Sequence, residues 1–152
     1  MTPPKPTPGT LQYRIAVALG RLNVGVYKLS GGRVGGRMSG APVCILRHRG
    51  AKSGTVRDSP LLYLEDGDAI VLVASMGGSP KHPSWYHNLR AHPDVEIQRG
   101  KEWTPVTART ASTEERERLW PKLTAMYADY AVYQSRSDGR VIPVVICEPR
   151  AA

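Results

Sequence analysis

The sequence predicts an α+β fold, mainly β, in which short strands form a barrel or sandwich and helices interrupt them. Three observations carry this. From Pro42 onward, six short runs rich in β-branched and aliphatic residues follow one another with turn residues between them. Asp66 and Gly67 separate two of these runs as a tight hairpin turn would. Helix signals break the series only twice, near Pro83 and from Ser112, rather than after every strand as in a parallel sheet.

Taken in order, residues 1–10 carry Pro3, Pro4, Pro6 and Pro8 and no apolar core, so they read as a disordered tail and not as a signal peptide. Residues 11–41 read as an amphipathic helix followed by a Gly-rich loop. Leu11, Ile15, Ala18, Leu22, Val26 and Leu29 recur at helical spacing, with Arg14, Arg21 and Lys28 every seven residues beside them. Such a helix suits either an anionic membrane surface or the flank of the main domain. Its charges exclude a membrane span. Gly31, Gly32, Gly35, Gly36 and Gly40, with Arg33 and Arg37, then predict a linker or lid.

Residues 42–152 form the main domain, with strands expected over 43–47, 59–64, 69–75, 95–98, 104–109 and 141–147. Pro83 suits the first position of a helix that stops before Pro93. Ser112 and Glu115 make a capping box, and Leu119, Trp120, Leu123, Met126 and Tyr127 follow as an apolar face. Pro121 is expected to kink or restart that helix.

At 152 residues the chain predicts one domain that buries roughly 70% of the surface its unfolded form exposes. Hydrophobic residues at 41% and charged residues at 22% exclude disordered and fibrous classes. Cys44 and Cys147 lie in apolar runs and read as reduced core thiols, which points to a cytoplasmic protein. Charge is strongly asymmetric: residues 1–57 hold ten Lys or Arg and no Asp or Glu, while the rest holds eleven basic and thirteen acidic residues. An anionic partner is expected on the basic side: phosphates, a nucleic acid or an anionic membrane surface.

Three constellations carry possible chemistry. Gly50-Ala51-Lys52-Ser53-Gly54 with Arg57, between two strands, offers backbone N–H groups, a point charge, a hydroxyl and a bidentate fork, the set a phosphate needs. A solvated hairpin turn would look the same, and the spacing is not that of a Walker loop. Ser75-Met76-Gly77-Gly78 after a strand, followed by Ser84 and Trp85, lets a planar ring approach the backbone, with Trp85 as a wall. The alternative is a strand-to-helix loop with Trp85 and Leu89 packed inside. Tyr127, Tyr130 and Tyr133 could line an apolar pocket and offer hydroxyls to a substrate oxygen, or could simply pack. His82, His87 and His92 are five apart and present no metal face, and no hydrolase elbow or dinucleotide fingerprint occurs.

In order along the chain, these motifs resemble the deazaflavin-dependent nitroreductase family, also described as F420-dependent quinone reductases. The resemblance rests on residues 50–54 with Arg57, on Pro60-Leu61-Leu62-Tyr63, on Ala74-Ser75-Met76-Gly77-Gly78, on Pro83-Ser84-Trp85-Tyr86-His87-Asn88-Leu89 and on Ile142-Pro143-Val144-Val145, and covers about residues 24–149. It implies a split β-barrel of the FMN-binding type, coenzyme F420 as cofactor, and hydride transfer to a quinone or similar acceptor, with nitro compounds a side class. It implies that Lys52, Ser53, Gly54 and Arg57 hold the cofactor's phosphate and acidic tail. Ser59, Pro60, Ala74, Ser75, Met76, Gly77, Gly78, Ser84 and Trp85 would flank its ring. Ser75, Tyr127, Tyr130 and Tyr133 would line the substrate pocket.

Ala51 and Met76 stand where the family carries cations, and Ser84 where an apolar residue is usual. Each missing charge-assisted bond loosens the cofactor by roughly 1.5–3 kcal/mol, which moves the expectation from nitro compounds toward quinones. FMN in place of F420 is the rival within enzymes. A basic nucleic-acid or membrane module is the rival outside them, and with a cofactor assigned no nucleic acid is expected. The N-terminal helix would let a cytoplasmic enzyme sit peripherally on the inner face of the membrane.

Overall fold

A computed structural model describes residues 22–33, 35–38 and 40–151. The expected tail and the first half of the expected helix lie outside the described residues. Helix α1 covers residues 22–30. Strands β1 (Arg37–Met38), β2 (Ala41–Arg49), β3 (Val56–Leu62), β4 (Leu64–Asp66) and β5 (Ala69–Val73) follow, then a 3₁₀ turn at Met76–Gly78 and helix α2 (Ser84–Ala91). Strands β6 (Asp94–Arg99) and β7 (Glu102–Thr110), helices α3 (Thr113–Met126) and α4 (Asp129–Arg136), and strand β8 (Val144–Pro149) complete the chain.

All ladders are antiparallel, in the order β1-β2-β6-β7-β8-β5-β4, with β3 on the other side of β2. Only Tyr63 separates β3 from β4. The two therefore act as one bent strand that pairs β2 with its first half and β5 with its second. This closes a ring β2, β3–β4, β5, β8, β7, β6 with no open edge in the main sheet.

Side chains alternate across a strand, so each apolar run feeds two cores. Cys44, Leu46, Ile70, Leu72, Ile97, Val106, Val145 and Cys147 point inward, where Trp85, Tyr86 and Leu89 of α2 plug the barrel. Their neighbours Val43, Ile45, Val71, Val73, Val144 and Ile146 point outward, under Val24 and Tyr27 of α1, Leu119 and Leu123 of α3 and Tyr130 of α4. Runs such as Val43–Leu46 are thus uninterrupted because both faces are buried.

Several local expectations hold. The capping box is present, with the Glu115 amide donating to Ser112 Oγ and the Ser112 amide donating to Glu115. Gly67 takes the left-handed backbone of the β4–β5 turn. Others change. Helix α3 runs through Pro121 without interruption, and the break falls at Tyr127 instead. The Gly-rich segment supplies β1, which pairs with the start of β2. On α1, Val24 and Tyr27 face the barrel, while Leu22 and Leu29 of the expected apolar stripe are 64% and 92% exposed. The two residues that reach the core set the helix's rotation, and the Tyr27 hydroxyl accepts from the Gly100 amide at 2.8 Å.

Candidate functional site

The loop between β2 and β3 stands at the barrel end that α2 plugs. Its glycines shape it: a side chain at Gly50 would collide with Ser53, and Gly54 sits at φ 69°. The Gly50 and Gly54 amides are used inside the turn, donating to Thr55 and Gly50 carbonyls, and the Ala51 amide donates to Asn88 Oδ1 at 2.9 Å. The Lys52 and Ser53 amides have no acceptor among the described residues, so the anion nest is narrower than five residues. Between this loop and α2 lies a groove of about 700 Å³, lined by Gly50, Ala51, Lys52, Ser53 and Arg57 on one side and Ser84, His87 and Asn88 on the other. Two motifs far apart in sequence thus form one cleft.

Its charge is uncompensated. Among the described residues neither Lys52 nor Arg57 has a carboxylate partner. The adjacent cations differ: Lys28 and Arg47 both bind Asp58, Arg47 Nε at 3.0 Å, and Arg47 also stacks on Trp103. Burial opposes the Asp58 charge, but Arg47 and Lys28 prevail and hold its carboxyl below the usual range. The acid-free segment is therefore part structural and part free for a ligand.

The second motif follows β5. Met76, Gly77 and Gly78 have φ of 45°, 57° and 84°, and a left-handed Met is an uncommon, strained position. Gly78 is needed for packing: a Cβ there would lie 2.6 Å from the Tyr133 carbonyl oxygen on α4. Arg140 holds the segment from below, donating to the carbonyls of Ala74 (3.0 Å), Ser75 (2.8 Å) and Ser79 (3.0 Å) and meeting His82 Nδ1 at 2.9 Å. Burial lowers the affinity of Arg140 for its proton, and burial together with Arg140 keeps His82 below the ordinary imidazole value. Nothing in the sequence spacing pointed to Arg140, which lies 61 to 66 positions from the three carbonyls it holds and meets them only because two loops converge.

Trp85 is 7% exposed and packs in the inner core with Tyr86 and Leu89, so it braces the site from beneath. Ser59 and Pro60 lie on β3 beyond Arg57, and Ser84 opens α2 at the groove. The tyrosines cluster around α4: Tyr127 and Tyr133 share a hydroxyl–hydroxyl bond of 3.1 Å, and Tyr130 lies edge-on to Tyr127. Tyr130 is 4% exposed, yet its hydroxyl has no protein partner among the described residues and is not among the sealed, orphaned polar atoms. Burial pushes Tyr130 and Tyr127 well above the ordinary phenol value, so both stay protonated. The turn at Gly78 touches Tyr133, which joins this cluster to the second motif.

Other chemistry is poorly served. Cys44 and Cys147 are buried, free and packed in the core, and burial pushes the Cys147 thiol up to about 12, which removes any thiolate nucleophile. Among the described residues no group of three His, Cys, Asp or Glu is placed to hold a metal ion, and no helix is long and apolar enough to cross a membrane.

A six-stranded antiparallel ring, plugged by a helix and flanked by a cation-rimmed groove, defines a split β-barrel of the cofactor-binding type. A Listeria innocua structure assigned as a pyridoxamine 5'-phosphate oxidase shares this fold at 14% identity and TM-score 0.51, a likeness of fold alone. A solved F420-H2 dependent reductase is 45% identical, covers 70% of this chain and 94% of its own, and superposes with TM-score 0.65. An F420H(2)-dependent quinone reductase of Mycobacterium tuberculosis is 43% identical over 144 residues, 92% of this chain and 96% of that one. The family model described as F420H(2)-dependent quinone reductase matches residues 19–149, and the chain belongs to that family.

Proposed function

We propose that this protein is an oxidoreductase that uses reduced coenzyme F420 to reduce a quinone or a similar small acceptor. The observation that carries the reading is the groove at residues 50–57, where, among the described residues, Lys52 and Arg57 have no acidic partner and two backbone N–H groups beside them have no acceptor. A phosphate and acidic tail fit that donor set, and the groove's size suits a nucleotide-like ligand. When bound, the cofactor supplies a hydride from its ring carbon. Lys52, Ser53 and Arg57 bind the tail, while the Arg140-held turn from Ala74 to Gly78 presents backbone to the ring. Tyr130 offers a protonated hydroxyl to the acceptor oxygen, so that hydride and proton together complete a two-electron reduction; solvent restores the phenol's proton.

A finer reading places the acceptor at an anionic membrane surface. It is supported by the exposure of Leu22 and Leu29 and by the basic N-terminal sequence.

The test is a fluorescence titration of the full chain with oxidised F420, run in parallel with FMN. The wild type binds F420 in preference, and Lys52→Ala with Arg57→Ala weakens binding about a hundredfold, each lost charge-assisted bond being worth a tenfold step or more. Unchanged affinity in the double variant, or equal binding of FMN, overturns the assignment.

A further inference from the structure

A buried polar chain runs directly beneath the groove, and the cofactor reading leaves its histidine without a role. His48 on β2 is 4% exposed, its Nε2 lies 2.9 Å from Ser59 Oγ on β3, and its Nδ1 lies 2.9 Å from Asn88 Nδ2 on α2. Asn88 Oδ1 in turn meets the Ala51 amide at 2.9 Å. The chain therefore links the cation loop, the plugging helix and the strand that carries Arg57.

Its proton pattern follows from one fixed point. A backbone N–H can only donate, so the Ala51 amide assigns the Asn88 oxygen as acceptor and turns the Asn88 amide group toward His48. That amide can only donate, which leaves Nδ1 of His48 bare and puts the proton of the neutral ring on Nε2. Nε2–H then donates to Ser59 Oγ, and the Ser59 hydroxyl must point its own proton elsewhere. Among the described residues no protein acceptor receives it. Arg57 and Ser59 are two apart on β3 and share a face, and Arg57 lines the groove.

We propose that His48 is a positioning residue for the cofactor groove: as its neutral Nε2–H tautomer it pins the Gly50–Gly54 loop through Asn88 and fixes Ser59 as a hydrogen-bond donor to an acceptor atom of the bound ligand. The proposal rests on the cofactor reading above. Protonated His48 would set a donor at Nδ1 against the Asn88 amide, and turning Asn88 over would merely move the conflict to the Ala51 amide. Charging His48 therefore releases the loop.

The surroundings favour the neutral ring. Arg57 and Asp58 of β3 act on His48 through their charges, and Asp58 is already bound by Lys28 and Arg47. A small cavity beside His48 brings in Arg47 and Arg49 of β2, Asp94 and Glu96 of β6, and Arg150. From α2 come Asn88 and, in the groove, His87. Burial, with Arg57 against Asp58, keeps His48 below the ordinary imidazole value, so the network is intact at neutral pH and fails on acidification.

The test titrates oxidised F420 into wild type and His48→Gln from about pH 7.5 to about pH 5.5. Glutamine offers the same acceptor and donor but does not ionise, and the ligand's own ionisations cancel in the ratio of the two Kd values. The wild-type Kd is expected to rise relative to His48→Gln as the pH falls, by less than the roughly tenfold that an imidazole of ordinary pKa would give over this range, and His48→Ala to bind weakly throughout. A ratio independent of pH overturns the proposal. ¹⁵N NMR of the ligand-free wild type supplies a second readout that no variant's folding can spoil: the Nε2–H tautomer with an Ala51 amide that shifts as His48 titrates supports the network, and an Nδ1–H tautomer refutes it. Wild type that ignores F420 near pH 7.5 overturns the cofactor reading and the ligand role of Ser59 together, while the NMR result still decides whether His48 pins the loop.

Discussion

Two clusters of cations in this barrel differ in what surrounds them. In one, Arg109 binds Glu115 and Glu148, each at 2.7 Å, and Arg118 and Lys122 converge on Asp66. In the other, Lys52 and Arg57 line a groove and, among the described residues, neither pairs with a carboxylate. The first cluster is neutral and ties α3 to the sheet; the second has a field that its neighbours leave unneutralised. The lesson is that a cation marks a binding site only where the fold withholds its counter-ion. Arg140 is a third case, a cation satisfied by carbonyl oxygens, and it serves as a brace.

The contrast can be broken or sharpened by experiment. Beyond the hundredfold loss already expected, wild-type affinity for F420 should fall steeply with added salt, and the Lys52→Ala, Arg57→Ala variant should lose most of that slope. A retained slope would mean that other cations hold the tail. Next in size, Tyr130→Phe should lower turnover about tenfold or more while leaving F420 affinity intact, as expected for removal of a proton donor; equal turnover takes Tyr130 out of the chemistry. Arg140→Ala removes the support of the turn from Ala74 to Gly78. It should weaken F420 binding about tenfold and speed amide exchange across residues 74–79, and unchanged exchange would show that the turn holds itself. Smallest is Arg109→Ala. With its charge already matched by Glu115 and Glu148, it should leave F420 affinity within about twofold, since exposed pairs contribute little.

Much of this was legible along the chain. The strand series, the Asp66–Gly67 turn and the Ser112–Glu115 cap were readable because each depends on neighbours within a few residues. The motifs around Lys52, Ser75 and Trp85 were readable too, as local strings of chemically committed residues. Pro121 misled, because α3 tolerates it within a continuous helix. The α1 stripe misled because Val24 and Tyr27, not Leu22 and Leu29, meet the barrel. His48, Asn88 and Arg140 were not readable as site residues at all.

By itself, then, the sequence determined the class of fold, the family and the segment in which positive charge is concentrated, since periodicity, turn chemistry and charge spacing are short-range properties. Only the tertiary structure decided which cations remain unpaired, which tyrosine keeps an unpartnered hydroxyl, and how Ala51, Asn88, His48 and Ser59 share their protons. The physical reason is that a hydrogen-bond partner or a counter-ion is fixed by distance in space. Closure of the ring brings together residues separated by 37 and 40 positions along the chain.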